Sequence, residues 1–125
     1  MAVKSTCDYN SSEGAGSISG YTNVPTNSVS ALKNALQSGP VSVAVEASQT
    51  GFQYYTGGVL STGCGTNLDH GILAVGWGTN STGEEYFLVK NQWGAGWGLD
   101  GYIMIGALDT NVCGILSYAS FVTVA

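Results

Sequence analysis

At 125 residues the chain fits one domain, read as residues 1–125, and folding at this length hides roughly two-thirds of the surface of the unfolded chain. Charged residues make up only 9% of it, against about 25% in an ordinary protein, and 19 residues are glycine, so Ser, Thr, Asn and backbone must supply much of the surface. The net charge is −5, and only Lys4, Lys33 and Lys90 are basic, too few to neutralise a run of phosphates or an anionic membrane surface, so neither nucleic acid nor membrane is an expected partner.

Residues 1–27 are rich in Ser, Gly, Asn and Thr, with one alternating stretch at 17–24 that reads as an edge strand. No apolar run of membrane-spanning length occurs anywhere in the sequence, and the N-terminus has no basic-then-apolar leader pattern. Met1 leading directly into domain-like sequence points to an expression start or to a fragment whose upstream part was left off. From Ser28 the pattern turns helical: Val29, Leu32, Ala35 and Leu36 recur at helix spacing, Ser28 can cap the start, and Gly39-Pro40 ends the run. One helix is predicted, at 28–38.

Beyond that break every periodic segment reads as strand. Val41, Val43 and Val45 alternate with small or polar residues, and 72–77, 86–89, 101–105 and 120–124 are β-branched or aromatic runs between Gly-containing turns. Turn signals such as Thr79-Asn80-Ser81-Thr82-Gly83 imply hairpins. The expected architecture is mainly β: an antiparallel, barrel-like sheet that curls to cover its edges, with one short helix outside it. Two N-x-[ST] sequons, at Asn10 and Asn80, fall in polar loop-like stretches.

Chemistry must be sought around one histidine, His70, in Asn67-Leu68-Asp69-His70-Gly71. A single histidine is structural by default. It builds no zinc site, because Cys64, Asp69 and His70 lack the short ligand spacings that metal needs, so no metal and no cofactor is expected. Asn91 closes the strand at 86–90 and opens Asn91-Gln92-Trp93-Gly94-Ala95-Gly96-Trp97-Gly98. Its plain reading is a turn residue beside a Gly-rich loop with two core tryptophans. The sharper reading is catalytic: a general-base imidazole needs a polar neighbour to fix its tautomer and ring plane, and an Asn carbonyl beside an indole provides one.

These motifs have a recognisable order. Asp69-His70-Gly71, then Val75-Gly76-Trp77-Gly78, then Tyr86 through Gly94, then Trp97-Gly98-x-x-Gly101-Tyr102, resemble the C-terminal, β-rich domain of the papain and cathepsin family of cysteine peptidases. Upstream, Gly39-Pro40-Val41-Ser42-Val43, Phe52-x-x-Tyr55-x-x-Gly58-Val59 and Cys64 agree in order and spacing, as does Cys113-Gly114-Ile115 near the end. The resemblance covers essentially the whole chain.

It implies that His70 is the imidazole paired with a nucleophilic thiol, that Asn91 orients it and that Trp93 shields their hydrogen bond from water. Ala44, Leu68, Gly71 and Tyr118 fall where the family binds the substrate residue second from the scissile bond, with Tyr118 at the floor making the pocket short, and Asp69 falls at the rim. Cys64 and Cys113 match a disulfide within this domain. Cys7 matches a cysteine that normally bonds to the helical half, so it is expected to be unpaired. The resemblance also implies a secreted or lysosomal or vacuolar location.

The departures carry as much weight. The Gly-Ser-Cys-Trp segment that bears the family's nucleophile is absent, and so is its oxyanion-hole Gln. Gln92 stands where the family usually has Ser. The chain therefore reads as the half of a cysteine-type endopeptidase that supplies His and Asn, inactive by itself, its peptide substrate reached only with the missing half. The alternative is a non-catalytic binding module on the same fold. In either case an apolar, Trp-lined face is expected to stand exposed or to be covered by self-association, with a Cys7–Cys7 bridge as one route. Other motifs compete poorly: Gly96-x-Gly98-x-x-Gly101 runs into a strand rather than the helix a dinucleotide site needs, and Glu84-Glu85 reads as a solvated turn rather than a glycosidase pair.

Overall fold

The computed structural model describes residues 4–125. A 3₁₀ turn at Ser11–Glu13 precedes β1 (Ile18–Asn23), α1 (Val29–Leu36), β2 (Val41–Val45), α2 (Thr50–Gln53), β3 (Val59–Leu60), β4 (His70–Thr79), β5 (Glu85–Lys90) and β6 (Tyr102–Gly106). A second 3₁₀ turn at Val112–Gly114 leads into β7 (Ala119–Val124). The helix forms where its pattern predicts. Ser28 Oγ accepts the Ala31 N–H at 3.1 Å, Leu32 and Leu36 are buried, and the Gln37 and Ser38 N–H groups close the last turn before Gly39. Lys33 Nζ, 2.9 Å from Glu85 Oε1, ties α1 to the start of β5.

The seven strands form one sheet in the order β1-β7-β2-β4-β5-β6-β3. Its end strands β1 and β3 do not pair with each other, so the sheet is open, and the expected barrel is not formed. Closure would require the two ends to meet in a hydrogen-bonded seam. Here β3 is only two residues long and pairs with β6 alone, while β1 pairs with β7 alone. The β3–β6 pairing is also parallel, the one departure from the expected antiparallel pattern among the described strands. A second short helix, α2, accompanies the predicted one; its single turn offers too few apolar repeats to register as a periodic pattern.

Alternation sets the core. Val41, Val43 and Val45 of β2, Ile72 and Ala74 of β4, Phe87 and Val89 of β5, and Ile103 and Ile105 of β6 are all buried, on four adjacent strands. The ten-residue β4 shifts register against β5 between Ala74 and Gly76. Such a bulge bends and twists a strand, and β4 accordingly serves two neighbours in turn: its first half lies along β2 and its second along β5. Pairing with β5 ends at Leu73, opposite Lys90, so the start of β4, with His70, is paired with β2 alone.

A disulfide joins Cys64 to Cys113 across a sequence separation of 49 residues. It anchors the loop that precedes β4 to the turn before β7, and the Cys113 carbonyl also accepts the Glu46 N–H at 2.8 Å. In the chain-entropy model a loop of this length restricts the unfolded chain by about 4 kcal/mol. A Cys64→Ala/Cys113→Ala double variant is expected to lose up to that amount in the unfolding free energy extrapolated to zero urea, with a steeper slope because the released unfolded chain exposes more surface; an unchanged free energy would show that the link adds nothing to stability.

Candidate active site

His70 opens β4, opposite Val45 of β2, and the Asp69 N–H just before it donates to the Val45 carbonyl at 3.0 Å. On the other side of β4 the ladder to β5 begins only at Leu73, opposite Lys90. The next residue, Asn91, turns out of the sheet and donates its N–H to the Gly101 carbonyl at 3.0 Å. This divergence opens a gap beside His70, and the Asn91 side chain fills it. Asn91 is 6% exposed, and its Oδ1 lies 2.8 Å from His70 Nε2 and 2.8 Å from the Gln92 N–H.

Those two contacts fix the protonation pattern. A backbone N–H can only donate, so the Asn91 atom that receives it is the carbonyl oxygen, an acceptor. The His70 nitrogen facing that oxygen must then carry the hydrogen, which leaves Nδ1 of the neutral ring as a lone-pair base. Nδ1 has no hydrogen-bond partner among the described residues. Asn91 Nδ2 is buried and likewise unpartnered there.

The aromatic residues around the ring are arranged in contact. Trp93 stacks beside His70 at a centroid distance of 5.0 Å and 29° between planes. Phe52, brought in by α2 and fully buried, meets Trp93 edge-on at 5.6 Å and His70 at 6.4 Å, and stacks with Trp97 at 5.3 Å. Trp97 is itself pinned by its indole N–H, which donates to the Gln53 carbonyl at 2.9 Å. Trp93 remains 41% exposed, and Tyr54 and Leu99 also stand exposed. The sequence motifs contained Phe52 and Trp97 without singling them out as site residues. Aromatic spacing alone does not reveal that α2 folds back under the histidine.

The other expected site residues divide by how they are held. Ala44 pairs with Gly71 across β2 and β4, and the Ala44 N–H donates to the Tyr118 carbonyl at 3.0 Å, so backbone bonding brings these three together. Leu68 packs against Gly114, where an added Cβ would come within 2.6 Å of Leu68 Cδ2. No closed pocket is formed by them in this chain: Leu68 and Gly71 are exposed, and the Tyr118 side chain is 67% exposed. Asp69 and His70 do share an open depression with Ala47, Ser48, Gln53 and Trp93. The larger hollows between α1 and β7, which include Ala35, Ser38 and Phe121, contain no acid, base or thiol. Cys7 is exposed and unpaired among the described residues.

The sequence pattern described as "Papain family cysteine protease" matches residues 1–123. The chain is 44% identical over 123 residues to a cathepsin L-like peptidase of Aedes aegypti, covering 96% of this chain and 36% of that protein. It is 45% identical over 124 residues to vignain of Ricinus communis, covering 96% and 34%. Among solved structures, the bromelain protease from Ananas comosus in complex with the E64 inhibitor superposes with a TM-score of 0.88 at 39% identity, covering 98% of this chain and 58% of that one. The chain belongs to the papain family of cysteine proteases. It corresponds to the C-terminal part of its relatives, spanning about a third of the length of these two curated proteins.

Asp69 supplies a pH-dependent contact at the edge of the site. The Ala47 N–H donates to its Oδ1 at 2.7 Å, and this bond, followed by one from the Ser48 side chain, holds the carboxyl below its ordinary value of 3.8. A carboxyl lowered in the folded state contributes stability above its unfolded value and loses it as pH falls through the folded one. Asp69→Asn is therefore expected to lower the thermal midpoint at neutral pH and to match the unaltered chain once the pH falls below both values. A gap between the two that does not narrow between about pH 5 and pH 2 would remove the assignment.

Proposed function

We propose that this chain is the His- and Asn-bearing half of a thiol endopeptidase, and that the rest of the protein supplies the nucleophilic cysteine. The observation that carries the proposal is the 2.8 Å contact of His70 Nε2 with Asn91 Oδ1, an oxygen that also accepts the Gln92 N–H; it assigns the ring hydrogen to Nε2 and leaves Nδ1 without a partner among the described residues. In the reaction, Nδ1 takes the proton of the incoming thiol, and the thiolate attacks the peptide carbonyl carbon to form a C–S bond. The imidazolium then returns its proton from Nδ1 to the leaving amine as the C–N bond breaks. Water next gives a proton to Nδ1 and attacks the thioester, the C–S bond breaks, and that proton restores the thiol.

Asn91 orients the ring through both steps, and Trp93, stacked on it, shields the Asn–His bond from water. Ala44, Leu68, Gly71 and Tyr118 form one wall of a subsite for a medium-sized apolar residue second from the cleaved bond. That wall is completed by the other half, and Asp69 lies at its rim. The whole chain of residues 1–125 acts as a single C-terminal domain. The disulfide and the family fit a secreted, lysosomal or vacuolar setting. The exposed face around Trp93 takes the helical half, and self-association through the same face competes with it. A binding module would have no use for an imidazole with a fixed tautomer, which favours the catalytic reading over that alternative.

Alone, the chain lacks nucleophile and oxyanion donors and should not turn over. Mixed with a separately produced helical half, it is expected to cleave a fluorogenic peptide carrying an apolar residue at the second position. His70→Ala should lower that activity by about 10²–10⁴-fold, the range of general acid–base catalysis, and Asn91→Ala by less. Turnover by this chain alone, or equal turnover with His70→Ala, would defeat the proposal.

A further inference from the structure

The residue after Asn91 has a use that the family pattern does not foretell. β4 is bonded to β2 from its first residues, with Val45 opposite His70 and Ala44 opposite Gly71. Toward β5, however, the Gly71 carbonyl lies beyond the last backbone pair, Leu73 with Lys90. Gln92 Nε2 donates to that carbonyl at 3.0 Å. The same residue's backbone N–H holds Asn91 Oδ1, the oxygen that receives the His70 ring. Gln92 thus reaches the surroundings of the histidine from two directions: its main chain holds the acceptor, and its side chain holds the Gly71–Ile72 peptide unit, one residue along β4 from the ring.

We propose that Gln92 is a positioning residue for His70, its carboxamide replacing the β5 backbone donor that is lost where the strands part. The contact closes a loop through His70 Nε2, Asn91 Oδ1, the Asn91–Gln92 backbone, Gln92 Nε2, the Gly71 carbonyl and back along β4 to His70. Such a loop ties the backbone that carries the ring toward β5 as well as β2, which keeps Nε2 facing Asn91 Oδ1. The proton therefore stays on Nε2, and Nδ1 stays free. A Ser at this position, two side-chain carbons shorter and ending in a single hydroxyl, has no atom at the place that Gln92 Nε2 occupies. The device is a property of this chain rather than of the family pattern. It rests on the reading of His70 as the general base, but its test does not.

His70 is the chain's single histidine, so its two ring nitrogens give one unambiguous set of nitrogen-15 signals, recorded above the imidazole's own titration. The unaltered chain is expected to show the hydrogen on Nε2. In Gln92→Met, similar in length but without a donor, the ratio of Nε2–H to Nδ1–H tautomer should fall about three- to tenfold, the range set by one net hydrogen bond. Gln92→Lys, which keeps a donor at the tip, should restore most of it. A merely structural role would lower the thermal midpoint of Gln92→Met and leave the tautomer ratio in place, which would overturn the proposal. A loss that Gln92→Lys does not restore would overturn it too.

Should Gln92→Met not fold, the through-bond coupling between Gln92 Nε2 and the Gly71 carbonyl carbon can be measured in the unaltered chain, and its absence would be equally decisive against the proposal. Mixing experiments that give no peptidase activity, alongside the expected tautomer behaviour, would count against the proposed function alone.

Discussion

Asn91 Oδ1 accepts two hydrogen bonds at once, from His70 Nε2 and from the Gln92 N–H, and the arrangement of the site depends on that double acceptance. The His70 bond alone would leave the carboxamide free to turn over, exchanging oxygen for nitrogen and changing whether the facing ring nitrogen carries the hydrogen. The backbone donor settles the orientation because it cannot be rotated away. Both bonds are part-buried, because His70 is half-buried and Gln92 exposed, while Asn91 itself is almost fully buried. Its unpartnered Nδ2 is the cost of that burial, in the range of about 1–3 kcal/mol for a lost hydrogen bond.

The geometry around Asn91 is in turn a product of the sheet. β4 is bonded on one side by β2 along its first half and on the other by β5 along its second. The two pairings overlap only at Leu73 and Ala74, and because β5 ends at Lys90 and the chain departs from β4 there, the next residue, Asn91, can face the ring. The Gly-rich segment after it makes the departure possible. Gly98 has φ of +58°, and a Cβ there would lie 2.5 Å from the Tyr102 carbonyl oxygen, so the loop returns to β6 through a position that only glycine fits. Phe52 supports the assembly from beneath, touching His70, Trp93 and Trp97. Removing a fully buried ring of this kind typically costs about 3–5 kcal/mol, and here it would also loosen three residues of the site.

Much of this was legible from residue order. The capped helix, the alternating valines of β2 and the runs that became β4 to β7 each obeyed a local rule, and the structure places them within a few residues of the expected bounds. The edge strand before α1 was visible in the same way. The barrel was not correct, because alternation and turn residues say which strands are strands and which neighbours can form hairpins, but not whether the two ends of the sheet meet. The short α2 and the two-residue β3 escaped for a related reason: one turn of helix or two residues of strand carry no period to detect. Both are held by tertiary contacts, Phe52 in the core and β3 along β6.

Sequence by itself determined the family, the mainly β character, the identity of His70 and Asn91 as the pair to watch, and the lack of a Gly-Ser-Cys-Trp nucleophile segment, since each of these is written in residue type and order. Tertiary structure decided the rest. It made the sheet open rather than closed, placed Phe52 and Trp97 under the histidine, and gave Gln92 a partner in Gly71. It also decided which imidazole nitrogen carries the hydrogen. The reason is physical: a tautomer is chosen by the direction of neighbouring donors and acceptors within about 3 Å, and those neighbours come from segments some twenty residues apart that only the folded sheet brings together.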